Sequence, residues 1–193
     1  MTAVPSSAAV SQQPVTIPVP QWIISDTHLG HENILTYCPW RKTWATSLDD
    51  HDAKIIAAWQ ACVAPDDVVL HLGDLALGSK DRLATLRKEL PGRIILVRGN
   101  HDRSRSALNE AGFMDVPTAV LIQHGNRSWY ARHNPASFSR TEAAKAIHLL
   151  HGHCHGNGYA MEIHRDIVAK AIDCSLDAVQ SIAPVPWSSI NDR

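Results

Sequence analysis

The sequence has no surplus of charge of either sign: 18 Lys and Arg stand against 19 Asp and Glu, a formal net charge of −1 over 193 residues. A protein that grips nucleic acid without regard to sequence needs a strong positive field, so that class is excluded. No apolar run approaches the ~20 residues that cross a bilayer. Cys38, Cys62, Cys154 and Cys174 lie far apart with no Cys-x-x-Cys pair. That spacing argues against a disulfide framework and for a reducing, cytoplasmic compartment. Residues 1–20 hold no charged side chain and four Pro. With neither a basic start nor a continuous apolar stretch they do not read as a signal peptide. They are expected to form a flexible tail, 1–20, ahead of a single domain, 21–193.

What is present is apolar material for a core (45% hydrophobic) and an unusual number of histidines, 12. Imidazole is both a metal ligand and a proton carrier near neutrality. Trp22-Ile23-Ile24, Val68-Val69-Leu70 and Ile94-Ile95-Leu96-Val97 read as short buried strands. Between them, 48–64 has Ile55, Ile56, Trp59, Cys62 and Val63 on one helical face, and 81–90 has Leu83, Leu86 and Leu90 on one stripe. This β-α-β-α-β order predicts parallel pairing with right-handed crossovers. His124-Gly125-Asn126 predicts a hairpin turn between 119–122 and 128–131. Further strands are expected at 146–150 and 167–172.

Five of these strands end in metal-competent side chains: Asp26 and His28, then Asp74, then Asn100, then His133, then His153 and His155. In α/β folds ligands bind beyond the carboxyl ends of strands, so the five loops can converge on one point. Seven side chains of mixed nitrogen and oxygen character are too many for one tetrahedral ion. They suit two divalent ions of borderline hardness sharing a carboxylate, with Mn, Fe, Ni, Zn or Co all compatible. Such a pair serves displacement at phosphorus by holding a bridging hydroxide and neutralising phosphate oxygens.

Asp-Thr-His at 26–28, Gly-Asp at 73–74, Gly-Asn-His-Asp at 99–102, His133 and Gly-His-Cys-His at 152–155 resemble, in this order, the five signature blocks of the calcineurin-like metallophosphoesterases. The wider phrases SDTHLGHENI, HLGD, HNP and LHGHCHG resemble a small bacterial and phage-type branch of that superfamily. The resemblance implies an α/β fold, a four-layer α/β/β/α sandwich with two mixed sheets flanked by helices. It implies Asp26, His28 and His155 on a first metal, Asn100, His133 and His153 on a second, and Asp74 between them. It implies a phosphodiesterase or phosphomonoesterase, the diester favoured, in which His101 assists the leaving group and Asp102 orients its ring.

His31 and Arg103 are candidate contacts to substrate phosphate, and Arg41, Lys42 and Arg132 are weaker ones. His71 and His151 are expected to support ligands through hydrogen bonds. Cys154 is expected to be a packed thiol, and His51, His124, His148 and His164 surface or core positions. A protein phosphatase is disfavoured, because Gly-Asp-Leu-Ala-Leu-Gly and Gly-Asn-His-Asp depart from that branch's pattern. A metal-binding scaffold with little catalysis would have lost ligands, and none is missing here. The expected partner is a small phosphate ester, with specificity carried by loops 31–47, 103–116 and 134–145.

Overall fold

The computed structural model describes residues 14–113, 115–158 and 163–191. Its elements run β1 (Val15–Ile17), β2 (Trp22–Ile24), α1 (Ile34–Tyr37), α2 (Leu48–Cys62), β3 (Val68–His71), α3 (Lys80–Glu89), β4 (Arg93–Leu96) and α4 (Arg105–Glu110). The second half runs β5 (Val120–His124), β6 (Arg127–Ala131), α5 (Arg140–Lys145), β7 (His148–His151), α6 (Arg165–Val168), β8 (Ala171–Asp173), α7 (Leu176–Val179), β9 (Val185–Pro186) and α8 (Ser188–Asn191).

Two mixed sheets result, one in the order β4-β3-β2-β9 and one in the order β1-β5-β6-β7-β8. β2, β3 and β4 are parallel, as the β-α-β-α-β order requires, and β9 closes that sheet antiparallel to β2. β5 and β6 form the expected hairpin through Gly125-Asn126, with Gly125 at φ 59°.

Alternation along each strand assigns its two faces. Ile23, Leu70, Ile95 and Val97 face Val120, Ile122, Trp129 and Leu150 in the core between the sheets. Ile24, Val69, Ile94 and Leu96 point the other way, onto Ile55, Trp59, Leu83, Leu86 and Leu108 of the covering helices. Leu149 turns to a smaller cluster with Phe138, Ala143 and Ile167. The layers are therefore helix, sheet, sheet, helix. Ser47, Ser79, Ser104 and Ser139 start α2 to α5, each accepting a hydrogen bond from a first-turn backbone N–H; such caps satisfy donors that a helix start leaves free.

Two expectations are corrected. The span 1–20 is not all tail: Val15–Ile17 pair in parallel with Val120–Ile122, and Ile17 is buried between the sheets. The apolar alternation of Val15-Thr16-Ile17 is enough for an edge strand; residues 1–13 of the expected tail lie outside the described residues. The run 167–172 is not one strand. His164 Nδ1 accepts from the Asp166 N–H and opens α6, so Ile167 packs as a helical residue while Ile172 belongs to β8.

Trp129 is wholly buried between the sheets, edge to face with Trp187 at 5.2 Å. We expect Trp129→Ala to lower unfolding free energy by about 3–5 kcal/mol, read from urea midpoints at unchanged slope. A loss below about 1 kcal/mol would mean that the inter-sheet core is not assembled around this ring.

Candidate metal centre

The loops that follow β2 and β3 do not diverge at the ends of their strands. Asp26 N–H donates to Gly73 O, His28 N–H to Asp74 O and Leu29 N–H to Leu75 O, each at 3.0 Å. This ladder carries Asp26, His28 and Asp74 outward together. The loop after β7, in the other sheet, joins it: the His153 N–H lies 3.1 and 3.0 Å from the two carboxylate oxygens of Asp26. The His101 N–H donates to Asp74 Oδ1 at 2.8 Å. The site thus straddles the mouths of both sheets.

This convergence uses unusual backbone. Asp26, His28, Asp74, His153 and His155 all have φ between 49° and 70°, and Gln180 is the one further non-glycine residue in that region among those described. A left-handed residue that is not glycine is strained by roughly 1–3 kcal/mol. Five such residues at one spot have a positional purpose, because each aims a polar side chain inward. Two glycines make room. A Cβ at Gly99 would strike the carboxylate of Asp74, and one at Gly152 would strike Ser25 Oγ and Asp26 Oδ2.

The side chains form two groups with Asp74 between them. In the first, His28 Nε2 is 3.2 Å from His155 Nε2 and 3.8 Å from Asp26 Oδ1, and His155 Nε2 is 3.5 Å from Asp26 Oδ1. In the second, Asn100 Oδ1 lies 3.0 Å from His133 Nε2 and 2.9 Å from His153 Nδ1. Asp74 Oδ2 is 3.6 Å from His28 Nε2 and 3.3 Å from His133 Nε2. All seven expected ligands are brought together.

The donor set fits divalent cations. His133 Nδ1 faces the Leu72 carbonyl at 2.8 Å and His155 Nδ1 faces Asp177 Oδ2 at 2.6 Å. With protons on those outer nitrogens, each ring that gives up its second proton to a cation turns an Nε2 lone pair inward. Two buried carboxylates and an amide oxygen demand positive charge beside them. Without a cation protons supply it: burial lowers the pKa of both rings, but the bonds to Asp177 and Cys38 raise that of His155 to about 10 and the bond to Asp74 raises that of His133. Asp26 feels the same demand: burial raises its carboxyl pKa, but its bond to His28 and the fields of His133 and His155 hold it well below the usual range.

One supporting residue, Asp177, escaped the sequence reading, and Arg41 has a different role from the one expected. Asp177 braces His155 and pairs through both oxygens with Arg41, at 3.1 and 2.7 Å. Burial pushes its carboxyl up, yet His155 and Arg41 outweigh it and bring it to about 2. Arg41 is fully buried. Its remaining donors reach Thr27 O, Asp26 O and His51 Nε2, and His51 in turn meets Asp52 through Nδ1. It is therefore a clasp on the loop that carries Asp26 and His28, not the phosphate contact for which it was a weaker candidate. No motif marks it off from its neighbour Lys42.

Asp102 is a second correction. Its oxygens accept from the N–H groups of Asp74, Gly99 and Leu75 at 2.8–2.9 Å, and so join two ligand loops instead of orienting the ring of His101. The His101 ring sits at the mouth, 5.3 Å from the ring of His28 and 5.9 Å from that of His31. Arg103 donates to the Gly78 carbonyl, and Arg132 pairs with Glu142. His71 supports the site as expected, between Thr27 Oγ1 and the Gly73 N–H.

A family model for the calcineurin-like phosphoesterase superfamily domain matches residues 21–169. The chain is 35% identical over 193 residues to the gene 66 protein of Mycobacterium phage D29, covering 85% of this chain and 91% of that protein. Its counterpart in Mycobacterium phage L5 is 29% identical over 185 residues, covering 81% and 86%. A crystal structure of a protein of unknown function from Aquifex aeolicus superposes with a TM-score of 0.64 at 25% identity, covering 92% of this chain and 98% of that one.

Asp177→Asn should weaken metal binding by about 10–100-fold, the usual effect of losing a ligand's supporting carboxylate, as read by chelator competition. Unchanged affinity would detach Asp177 from the centre. His71 supplies a pH test. Burial lowers its pKa from 6.5 to about 3, against the opposing fields of Asp26 and Asp74. Below pH 6.5 the unfolded chain takes up a proton that the folded protein refuses. His71's share of stability is therefore intact above pH 6.5 and lost as pH falls toward about 3, by up to ~1.4 kcal/mol per pH unit. Urea midpoints of metal-free protein should show a shallower decline for His71→Gln; parallel declines would refute this.

Proposed function

The chain belongs to the calcineurin-like phosphoesterase superfamily, and on that premise we propose that it is a two-metal phosphodiesterase. The observation that carries the proposal is the shared carboxylate: Asp74 Oδ2 lies within 3.3–3.6 Å of an imidazole nitrogen from each ligand group. Asp26, His28 and His155 would hold one cation, Asn100, His133 and His153 the other, and Asp74 both. When bound, such a pair supplies Lewis acidity at phosphorus and lowers the pKa of water. Mn, Fe, Ni, Zn and Co all suit these donors.

The protein's own groups do the rest. The ladder between the loops after β2 and β3 fixes the spacing of the two groups. His101 hangs its exposed ring over the first group while its backbone is tied to Asp74. From there it would pass a proton to the departing alkoxide, the step that an ester of a poor leaving group needs most. His31, beside it, would steady the substrate phosphate.

A diester suits the surroundings better than a monoester. Asn100, His133 and His153 open into a cavity of about 490 Å³ whose wall continues through Arg98, Arg132 and Asn134. That space would take a second ester group, and Arg98 would offer it positive charge. The near-neutral chain favours a small substrate over a polymer.

Manganese-loaded protein is expected to hydrolyse bis(p-nitrophenyl) phosphate and to lose that activity to EDTA. His101→Ala should retain two metals per chain by elemental analysis and lose about 10²–10⁴-fold in turnover of an alkyl phosphodiester, whose poor leaving group needs the proton, and less with the activated aryl diester. Well under one bound metal at saturation, or full activity in the His101 variant, would overturn the corresponding part of the proposal.

A further inference from the structure

Among the described residues the exposed large hydrophobic side chains are Val15, Val168 and Tyr37, and Tyr37 is the most exposed, at 66%. It is also the one that lies at the candidate site. It ends α1, whose first residue, Ile34, is buried. Its ring meets that of His31 at 5.9 Å and 74°; His31 meets His101 at 5.9 Å and 74°, and His28 at 5.4 Å and 86°. A file of near-perpendicular rings thus leads from a buried candidate ligand, past the candidate proton donor, to a tyrosine in water.

A core-filling role does not account for a ring this exposed, and the fold gains little from leaving it so. A perpendicular contact leaves a ring face free, and an offset or edge contact with a further ring is favourable there. The file runs along the His101 side, where the leaving alcohol departs. We propose that Tyr37, braced by the ring of His31, offers its free face as a stacking platform for a planar ring on that alcohol, so that the substrate is a phosphodiester of a nucleoside. This rests on the phosphodiesterase reading above. In the reaction, water adds its oxygen to phosphorus, the bond from phosphorus to the nucleoside oxygen breaks, that oxygen takes the proton from His101, and the proton that water gives up restores His101. Two ring steps separate Tyr37 from His101, a span that a nucleoside attached to the reacting phosphorus covers. Tyr37 is then a specificity residue outside the five ligand blocks. The absence of positive charge excess points to a ligand of one or two nucleotides, because sequence-tolerant binding of long strands adds a basic groove to its stacking rings.

Binding tests this without relying on turnover. Manganese-loaded protein is titrated in a calorimeter with adenosine 5′-monophosphate and with ribose 5-phosphate, which share a phosphate and a sugar and differ in the ring. The parent should bind the nucleotide about ten-fold more tightly, the range of one stacked base. Tyr37→Ala should erase the difference and leave ribose 5-phosphate affinity unchanged, whereas Tyr37→Trp should preserve it. Metal content and circular dichroism of each variant establish that the centre and the fold are intact. Equal affinities in the parent, or a gap that survives in Tyr37→Ala, would overturn the platform. Hydrolysis of bis(p-nitrophenyl) phosphate is scored separately. A base-dependent gap without hydrolysis would sink the enzyme reading and leave the ring site standing; hydrolysis without a gap would do the reverse.

Discussion

A buried guanidinium holds this site in shape. Arg41 has no exposed surface, and its donors reach the carbonyls of Asp26 and Thr27, the ring of His51 and both oxygens of Asp177. Burying such a charge is costly unless every donor finds an acceptor. Here the acceptors are the strained loop after β2 and the carboxylate that braces His155. One side chain therefore ties a candidate ligand from the start of the domain to another near its end. Lysine could not replace it, since a single ammonium lacks the planar fork that spans these acceptors.

The same logic runs through the rest of the centre. Left-handed backbone at five candidate ligands and two buried carboxylates set close together, Asp26 and Asp74, each raise the energy of the folded chain. Backbone ties repay that cost locally: Asp102 joins the Asp74 and Gly99 loops, and Asp26 captures the His153 N–H. Cations would relieve the remaining electrostatic tension, and stability and metal occupancy are then linked by mass action.

Much of this was legible in the residues. The alternating elements of the first half, the hairpin at Gly125-Asn126 and all seven candidate ligands could be read, because strand runs and the turns after them have local signatures. What could not be read was long-range. Nothing near Arg41 in the sequence marks it as buried, and its partner Asp177 is 136 positions away. Asp102 sits beside His101 in the chain, yet its oxygens are drawn to the backbone of a different loop. The run at 167–172 misled because Ile167 and Ile172 serve different cores, and the capping action of His164 is visible only once Asp166 is folded over it.

The first strand has a quieter effect. β1 has three residues, lies at the rim of the five-stranded sheet and is bracketed by Pro14 and Pro18. Proline withholds the amide that a neighbouring molecule would need to extend the ladder. By covering β5 with so brief and interrupted a strand, the protein denies other copies of itself a template, and self-association through that rim is discouraged by covalent geometry alone.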